Sequence, residues 1–223
     1  MKLYYETVDP ELLALIKDVF KDPFFNSYRL VGGTALALQI GHRGPKDADL
    51  FSDGHGQEVA TIKKYLQKLQ FDLSEDESNY GVYEVMACGV KLNLFHYGEP
   101  FVLPAREADG MRLASLLDIG LMKLDGQRLR NSWPDLIDIY QIIKVHPMEE
   151  LLEMYPRRYP SMPLKQPFMA LINNLKNPPA LALFSKELIF FQMDPGIIIK
   201  ELSEKCISIS KALIQAEAKK LGF

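Results

Sequence analysis

A stretch of 24 residues, from position 28 to position 51, most constrains what this chain can fold into. It reads YRLVGGTALALQIGHRGPKDADLF and joins a short apolar strand, a glycine pair, a short helix, a turn and a second strand. Gly32 and Gly33 have no Cβ, so the backbone there can approach another group closely. The helix that follows directs its amide N–H groups and positive dipole end toward these glycines, which favours a bound anion.

Two carboxylates follow on the second strand. Asp47 and Asp49 stand two positions apart, so their side chains leave the same face of the sheet. An anion site beside two carboxylates suits a nucleoside triphosphate (NTP) that carries magnesium, because Mg²⁺ takes oxygen ligands from one or two carboxylates and from phosphates. We therefore expect Asp47 and Asp49 to bind Mg²⁺ (or Mn²⁺), and the glycine pair and Thr34 to bind the phosphates.

Each of these features also has a purely structural interpretation. The glycine pair could be a plain strand-to-helix turn, and the aspartates could lie on a solvated strand edge. Asp is a poor strand former, however, so two of them beside the apolar Leu50 indicate a function. His42 and Arg43 are compatible with a surface turn or with a phosphate contact.

Composition places the chain among ordinary globular proteins. It has 223 residues, of which 48% are apolar and 25% charged, and a net charge of −3. That balance lacks the basic surplus typical of nucleic-acid-binding domains, although a local basic patch stays open. The two cysteines are far apart, no apolar run is long enough to cross a bilayer, and the first residues do not form a signal peptide. We expect a cytoplasmic protein with no membrane partner.

Hydrophobic periodicity predicts an α/β (α+β) fold, with a mixed β-sheet and flanking helices in an N-terminal lobe and a mostly helical C-terminal lobe. The predicted elements change after Pro104 from strands with flanking helices to mostly helices, so we place the lobes at residues 1–104 and 105–223. Strands are predicted near residues 29–31, 47–51, 71–73, 82–87, 90–95 and 111–113. Helices are predicted near residues 9–20, 36–40, 57–69, 116–124, 133–143, 168–175, 180–192 and 196–221. The acidic residues 74–79 are predicted to form a loop.

Residues 155–167 contain four prolines and are predicted to be a linker or an ordered loop without regular structure. The aromatic and basic residues at its start form a small cluster that could stack on single-stranded RNA. A solvent-exposed loop is the simpler interpretation of the same cluster, which comprises Tyr155, Arg157, Arg158 and Tyr159.

Three motifs resemble one family. The stretch GGTALALQIGHRGPKDADLF is similar to the signature of the AbiEii/AbiGii toxin family of nucleotidyltransferases, the toxin halves of bacterial abortive-infection (type IV toxin–antitoxin) operons. GVKLNLFHYGEP resembles the second acidic strand of that family, and MRLASLLDIGLMKLDGQRLRNSWPDLIDIYQII resembles its helical motif. In that motif a lysine and an acidic pair line the cleft, which implies such roles for Lys123, Asp135 and Asp138.

The resemblance implies an activity and partners. The family fold would transfer NMP from an NTP to an acceptor hydroxyl, in a metal-dependent reaction. The acceptor would be an RNA end such as tRNA, and an antitoxin protein would hold the toxic activity in check. Asp47, Asp49, Lys123 and Asp138 would be catalytic, and Lys123 would also contact phosphate. Arg43, in the turn of the first motif, is a further candidate for a phosphate contact. Lys123 could instead extend its ammonium group to solvent from the edge of an apolar stripe. Asp135 could be a helix-start charge, and Asp138 lies one turn later on the same polar face.

One departure bears on catalysis. The third acidic position of the family falls on Asn93, whose amide can coordinate a metal ion through its carbonyl oxygen but cannot accept a proton. Another base, such as Glu84 on the neighbouring strand, could replace it. The alternative is a catalytically degenerate protein that keeps the fold and binds nucleotide or a protein partner. A second departure is Pro134, where the family often has a basic residue before the acidic pair.

Overall fold

A computed structural model of the chain describes residues 2–53, 58–79, 82–96, 99–184 and 193–220. Within these residues the strands are β1 (Tyr28–Val31), β2 (Asp47–Ser52), β3 (Leu73–Asn79), β4 (Val82–Ala87), β5 (Val90–His96), β6 (Arg106–Ala108) and β7 (Met111–Leu113). The helices are α1 (Pro10–Lys21), α2 (Gly32–Ile40), α3 (Val59–Lys68), α4 (Leu116–Gly126), α5 (Trp133–Ile142), α6 (Met148–Arg158), α7 (Lys165–Lys176), α8 (Leu181–Phe184) and α9 (Pro195–Lys220). Positions 57, 185–192 and 221, which the sequence assigned to helices, lie outside the described residues.

The seven strands form one mixed sheet in the order β3-β4-β5-β2-β1-β7-β6. β2 pairs in parallel with β5 and antiparallel with β1, so the strand that carries the two aspartates lies in the middle of the sheet. The sheet and its helices confirm the predicted mixed α/β class.

Burial alternates along the central strands and divides the sheet into two faces. One face is fully buried by apolar side chains, among them Leu30, Leu50 and Leu92, each 0% exposed. Side chains of successive residues in a strand point to opposite faces of the sheet. The residues that alternate with these buried leucines therefore point to the other face. We call that other face the polar face, and its central residues are Asp47, Asp49, Glu84, Lys91 and Asn93.

Two edge strands differ from the sequence prediction. Residues 74–79, predicted as a loop, belong to β3, and β6 was not predicted at all. These strands lie at the two ends of the sheet, where a strand pairs on one side only and charged residues are common. The apolar alternation that identifies a central strand is therefore not required of them.

The prediction that residues 155–167 lack regular structure is wrong at both ends. Residues 155–158 form the last turn of α6, and Lys165 begins α7. Pro156 lacks the backbone N–H that would donate within the helix, but it lies only two residues from the end of α6, so the helix tolerates it. Tyr155 and Arg158 are buried, and the Tyr155 hydroxyl donates to Asp125. Three of the four residues of the aromatic and basic cluster are therefore part of the core, whereas Arg157 is exposed on the same helix.

The chain divides into two compact units between Ile119 and Gly120, inside α4. The first unit includes the whole sheet with α1, α2 and α3, and the second includes α5, α6 and α7. A functional division at residue 104 stays a prediction. Within the described part of the chain, no helix has both the length and the apolar character needed to span a membrane.

Candidate active site

The glycine pair lies where β1 passes directly into α2. Gly32 has φ +66°, a left-handed backbone conformation that side-chain-bearing residues rarely adopt. The space that a Cβ at Gly32 would occupy is filled by the carboxylate of Asp49, and the corresponding space at Gly33 is filled by the guanidinium of Arg43. Both glycines are thus positions of close approach, and the groups that approach them are two of the predicted site residues.

The two aspartates lie together on the polar face. Ala48 between them is 0% exposed on the buried face, whereas both carboxylates are partly exposed. In the β1–β2 pairing Asp49 stands opposite Val31, the last residue before the glycine bend. The structure therefore places both carboxylates on one face of the sheet, as the sequence predicted, and that of Asp49 at the N-terminal end of a helix.

Thr34 links the two elements of the motif. Its hydroxyl donates to the backbone carbonyl of Asp47, and its side chain is buried. That proton is already used, so a phosphate contact from Thr34 would come from its backbone N–H group. The hydrogen bond fixes the first turn of α2 to the first residue of β2.

His42 and Arg43 are buried, at 1% and 6% exposure, which rules out the surface-turn interpretation. Arg43 follows the left-handed Gly41 that ends α2, and its guanidinium returns to the opposite end of the helix beside Gly33. A permanent cation there adds to the positive potential of the helix N-terminus.

Asn93 completes the group on β5. It stands beside Asp49 in the parallel β2–β5 register, and its Nδ2 donates to Asp49 Oδ1 at 2.8 Å. The side chain is 95% buried, and its Oδ1 atom has no hydrogen-bond partner within the described residues. A buried carbonyl oxygen without a partner is a costly arrangement, and a bound cation would satisfy it.

These donors suit a hard divalent cation. Asp47, Asp49 and Asn93 offer only oxygen atoms, and Mg²⁺ commonly takes one or two carboxylates together with substrate phosphates and water. No group of three or more His, Cys, Asp or Glu side chains in the described ranges could hold a metal ion. Three oxygen donors of this kind fit a divalent cation whose remaining ligands are water or phosphate oxygens.

The other predicted residues lie in the second unit and form a buried ion cluster. The Lys123 ammonium group is 2.7 Å from Asp135 Oδ1 and 2.8 Å from Asp138 Oδ2. All three side chains are at least nine-tenths buried, so the lysine does not extend to solvent and Asp138 does not lie on a solvated face. Burial opposes ionisation of Asp135, but the charge of Lys123 and hydrogen bonds from Arg130 outweigh it and lower the pKa of this carboxyl below its ordinary value.

Arg130 belongs to this cluster and was missed from the sequence. Its Nη2 lies 3.1 Å from Asp135 Oδ1, and its Nε also contacts the carboxylate. Ser132 caps the helix and donates its hydroxyl to Asp135 Oδ2 at 2.8 Å. A basic side chain thus reaches the acidic pair from position 130, although Pro134 occupies the position where the resemblance implied one.

Comparisons with known proteins identify a family and a fold. Residues 14–152 match the model of the nucleotidyl transferase AbiEii toxin family, type IV toxin–antitoxin system, which confirms the resemblance found in the sequence. An uncharacterized protein of Aquifex aeolicus is 27% identical over 143 residues, which cover 60% of this chain and 67% of that protein.

Two solved structures show the same fold at low sequence identity. JHP933 of Helicobacter pylori has a TM-score of 0.56 and 20% identity, over 95% of this chain and 97% of its own. MenT4, a nucleotidyltransferase toxin of Mycobacterium tuberculosis, has a TM-score of 0.53 and 12% identity, over 86% and 79%. The chain therefore has a nucleotidyltransferase fold.

Proposed function

The chain belongs to the AbiEii family of toxin nucleotidyl transferases, and we propose that it transfers NMP from an NTP to an acceptor hydroxyl with the help of a divalent metal ion. The observation that carries this proposal is the contact between the Asp49 carboxylate and the Gly32 bend. It brings the carboxylates on β2 next to the amide end of α2, so one nucleotide could contact both.

Each predicted site residue of the first unit then has a definable role in the reaction. The backbone N–H groups of Gly33 and Thr34, together with the Arg43 guanidinium, would hold the terminal phosphates and orient the α-phosphate for in-line attack. Asp47 and Asp49, with the carbonyl oxygen of Asn93, would hold Mg²⁺ or Mn²⁺, which when bound neutralises the charge that develops on the phosphate oxygens.

Lys123 and Asp138 have a more restricted role in this proposal than the resemblance implied. Lys123 already contacts two buried carboxylates, so a triphosphate would have to compete with both of them for the ammonium group. Asp135 and Asp138 would then act chiefly by holding Lys123 in place.

The acceptor and partner are also part of the proposal. Membership of a toxin family supports an RNA acceptor such as tRNA, an antitoxin protein as partner and action in the cytoplasm, where both RNA and NTPs are present. The net charge of −3 means that RNA contacts would rest on local cations and not on a general basic surface.

A second candidate is a protein that binds nucleotide without turnover. The observation that favours it is Asn93, because the amide donates to Asp49 and cannot accept a proton from an acceptor hydroxyl. The substitution Asn93→Asp separates the two candidates. Activity in the substituted protein alone would identify the natural chain as a binder, whereas activity in both would identify an enzyme.

The direct test combines label transfer with calorimetry. Purified protein is incubated with each labelled NTP, Mg²⁺ or Mn²⁺ and total tRNA, and binding of Mn²⁺ with each NTP is titrated in parallel. We expect Asp47→Ala/Asp49→Ala to lose both transfer and binding while keeping its circular dichroism spectrum. Asp18→Ala, which removes only a surface ion pair with Lys21, is the control and should behave like the natural chain. The absence of both binding and transfer with every NTP would refute the proposal.

A further inference from the structure

The polar face contains a row of three side chains that crosses three neighbouring strands. Asp49 on β2 stands beside Asn93 on β5, and Asn93 stands opposite Glu84 on β4. Residues directly opposite in paired strands point to the same face. Tyr83 and Val85 are buried on the other face, which leaves Glu84 partly exposed on the side of the two aspartates.

From this row we infer that Glu84 is the general base of the reaction, in the place that Asn93 cannot fill. The inference rests on the proposed nucleotidyl transfer. Asn93 has no proton-accepting atom, so a carboxylate must come from elsewhere if the acceptor hydroxyl is to lose its proton to the protein. Among the side chains of the row, Glu84 is the remaining carboxylate once Asp49 is assigned to the metal ion.

The reach of Glu84 is compatible with this task. Adjacent strands are about 4.8 Å apart, so Glu84 lies one strand spacing farther from Asp49 than residue 93 does. A glutamate is one methylene longer than an aspartate, which makes up part of that spacing. Its carboxylate is also in contact with a residue of β5, because Glu84 Oε2 lies 3.2 Å from the Nζ atom of Lys91.

Lys91, the ion-pair partner of Glu84, lies on the Asp47 side of the row. It stands beside Asp47 in the β2–β5 register, at the end of the sheet where β1 meets the glycine bend. The Glu84 and Lys91 side chains are 39% and 47% exposed, and ion pairs at such exposure are weak. The carboxylate can therefore leave Lys91 when an acceptor hydroxyl is bound.

Glu84 would take up the proton that the acceptor hydroxyl loses as it attacks the α-phosphate. The acceptor oxygen forms a bond to the α-phosphorus, and the bond from that phosphorus to the bridging oxygen breaks with its electron pair leaving on pyrophosphate. The hydroxyl proton passes to a carboxylate oxygen of Glu84 and from there to solvent. No further reactant is needed.

The test compares Glu84→Gln, Asn93→Asp and the double variant in the transfer assay, with nucleotide binding measured by calorimetry. We expect Glu84→Gln to lower kcat by about 10²- to 10⁴-fold while the Kd for the nucleotide stays within about threefold, since a general base acts on the acceptor and not on NTP binding. Glu84→Asp should retain intermediate activity. Glu84→Gln/Asn93→Asp should recover activity, because the carboxylate returns to the neighbouring position of the row.

Glu107→Gln is the matched control, since Glu107 is exposed on the edge strand β6. It should leave kcat unchanged. A natural chain without transfer would refute the proposed function, and the assignment of Glu84 would fall with it. A natural chain that is active together with an active Glu84→Gln would overturn the assignment alone. So would a double variant that fails to recover, because Glu84 would then be needed for another reason.

Discussion

Replacing Lys123 with methionine tests whether the second unit depends on a buried ion cluster. The ammonium group lies within 2.8 Å of a carboxylate oxygen on both Asp135 and Asp138, whose side chains are 1% and 0% exposed. Methionine keeps most of the side-chain volume but removes the charge from between two buried anions. Removal of one partner from a buried ion pair typically costs about 3–5 kcal/mol. For a chain of this size that corresponds to a fall in Tm of roughly 6–20 °C.

The chain provides its own probe and its own control. Trp133 is the only tryptophan, is buried, and lies in the same helix as both aspartates, so its fluorescence during urea unfolding reports on this region. Lys205→Met is the matched control. Lys205 also contacts a carboxylate at 2.8 Å, on Glu149, but the two side chains are 37% and 54% exposed. Its loss should cost about 0–1 kcal/mol.

A partial rescue should accompany the loss. Lys123→Met/Asp138→Asn removes one of the two buried charges that the single substitution leaves without the ammonium group, so it should recover part of the free energy of unfolding. If Lys123→Met instead loses less than about 1 kcal/mol, like Lys205→Met, the cluster does not hold buried charges and the reasoning is wrong.

Two further predictions follow from the site and the cluster. Gly32→Ala and Gly110→Ala both place a side chain at positive φ, at a cost of about 1–2 kcal/mol in free energy of unfolding, but only at Gly32 does the new Cβ meet a carboxylate. We therefore expect Gly32→Ala alone to abolish nucleotide binding in calorimetry, and equal binding in the two variants would contradict the contact with Asp49. Because the pKa of Asp135 is lowered in the folded state, its stabilising contribution is fully present above the unfolded pKa, near 3.8, and is lost as the pH falls below it. Urea unfolding, followed by Trp133 fluorescence between pH 3 and pH 7, should show that the free energy of unfolding falls at the acidic end, and that this fall is smaller in Asp135→Asn than in the natural chain. An equal fall in both proteins would contradict the lowered pKa of Asp135.

The stretch from residue 28 to residue 51 could be interpreted from sequence because its structure is determined locally. A glycine pair after an apolar strand, a helix that ends at Gly41 and alternation on β2 each follow from backbone rules that operate over a few residues. The same rules placed both aspartates on one face, and the structure adds that one of them contacts Gly32.

The buried cluster could not be predicted in the same way. No spacing rule joins Lys123 on α4 to Asp138 on α5, because their contact depends on how two helices pack. Periodicity alone assigned both residues to polar or marginal positions, since a charged side chain is expected at the surface. Arg130 escaped notice because it lies in the connection before α5, where charged residues are common.

The same limit explains the errors in secondary structure. β3 has acidic residues that would be unsuitable in a central strand, and only its place at the edge of the sheet makes them acceptable. Tyr155 and Arg158 resemble an exposed aromatic and basic patch until the packing of α6 is known. In each case the deciding information is the neighbour in space, which a single sequence does not contain.

The hydrogen bond from Thr34 to the carbonyl of Asp47 has a consequence for the thermodynamics of ligand capture. Together with the contact between Gly32 and Asp49, it joins the first turn of α2 and the first residues of β2 into one rigid piece before any ligand arrives. A preorganised pocket of this kind loses little conformational entropy when a ligand binds, so the binding free energy is reduced only slightly by the ordering of the protein. Backbone amides of the second turn of α2, which bond to carbonyl groups of its first turn, should accordingly exchange their hydrogens as slowly as those of the central strands, even in the absence of nucleotide.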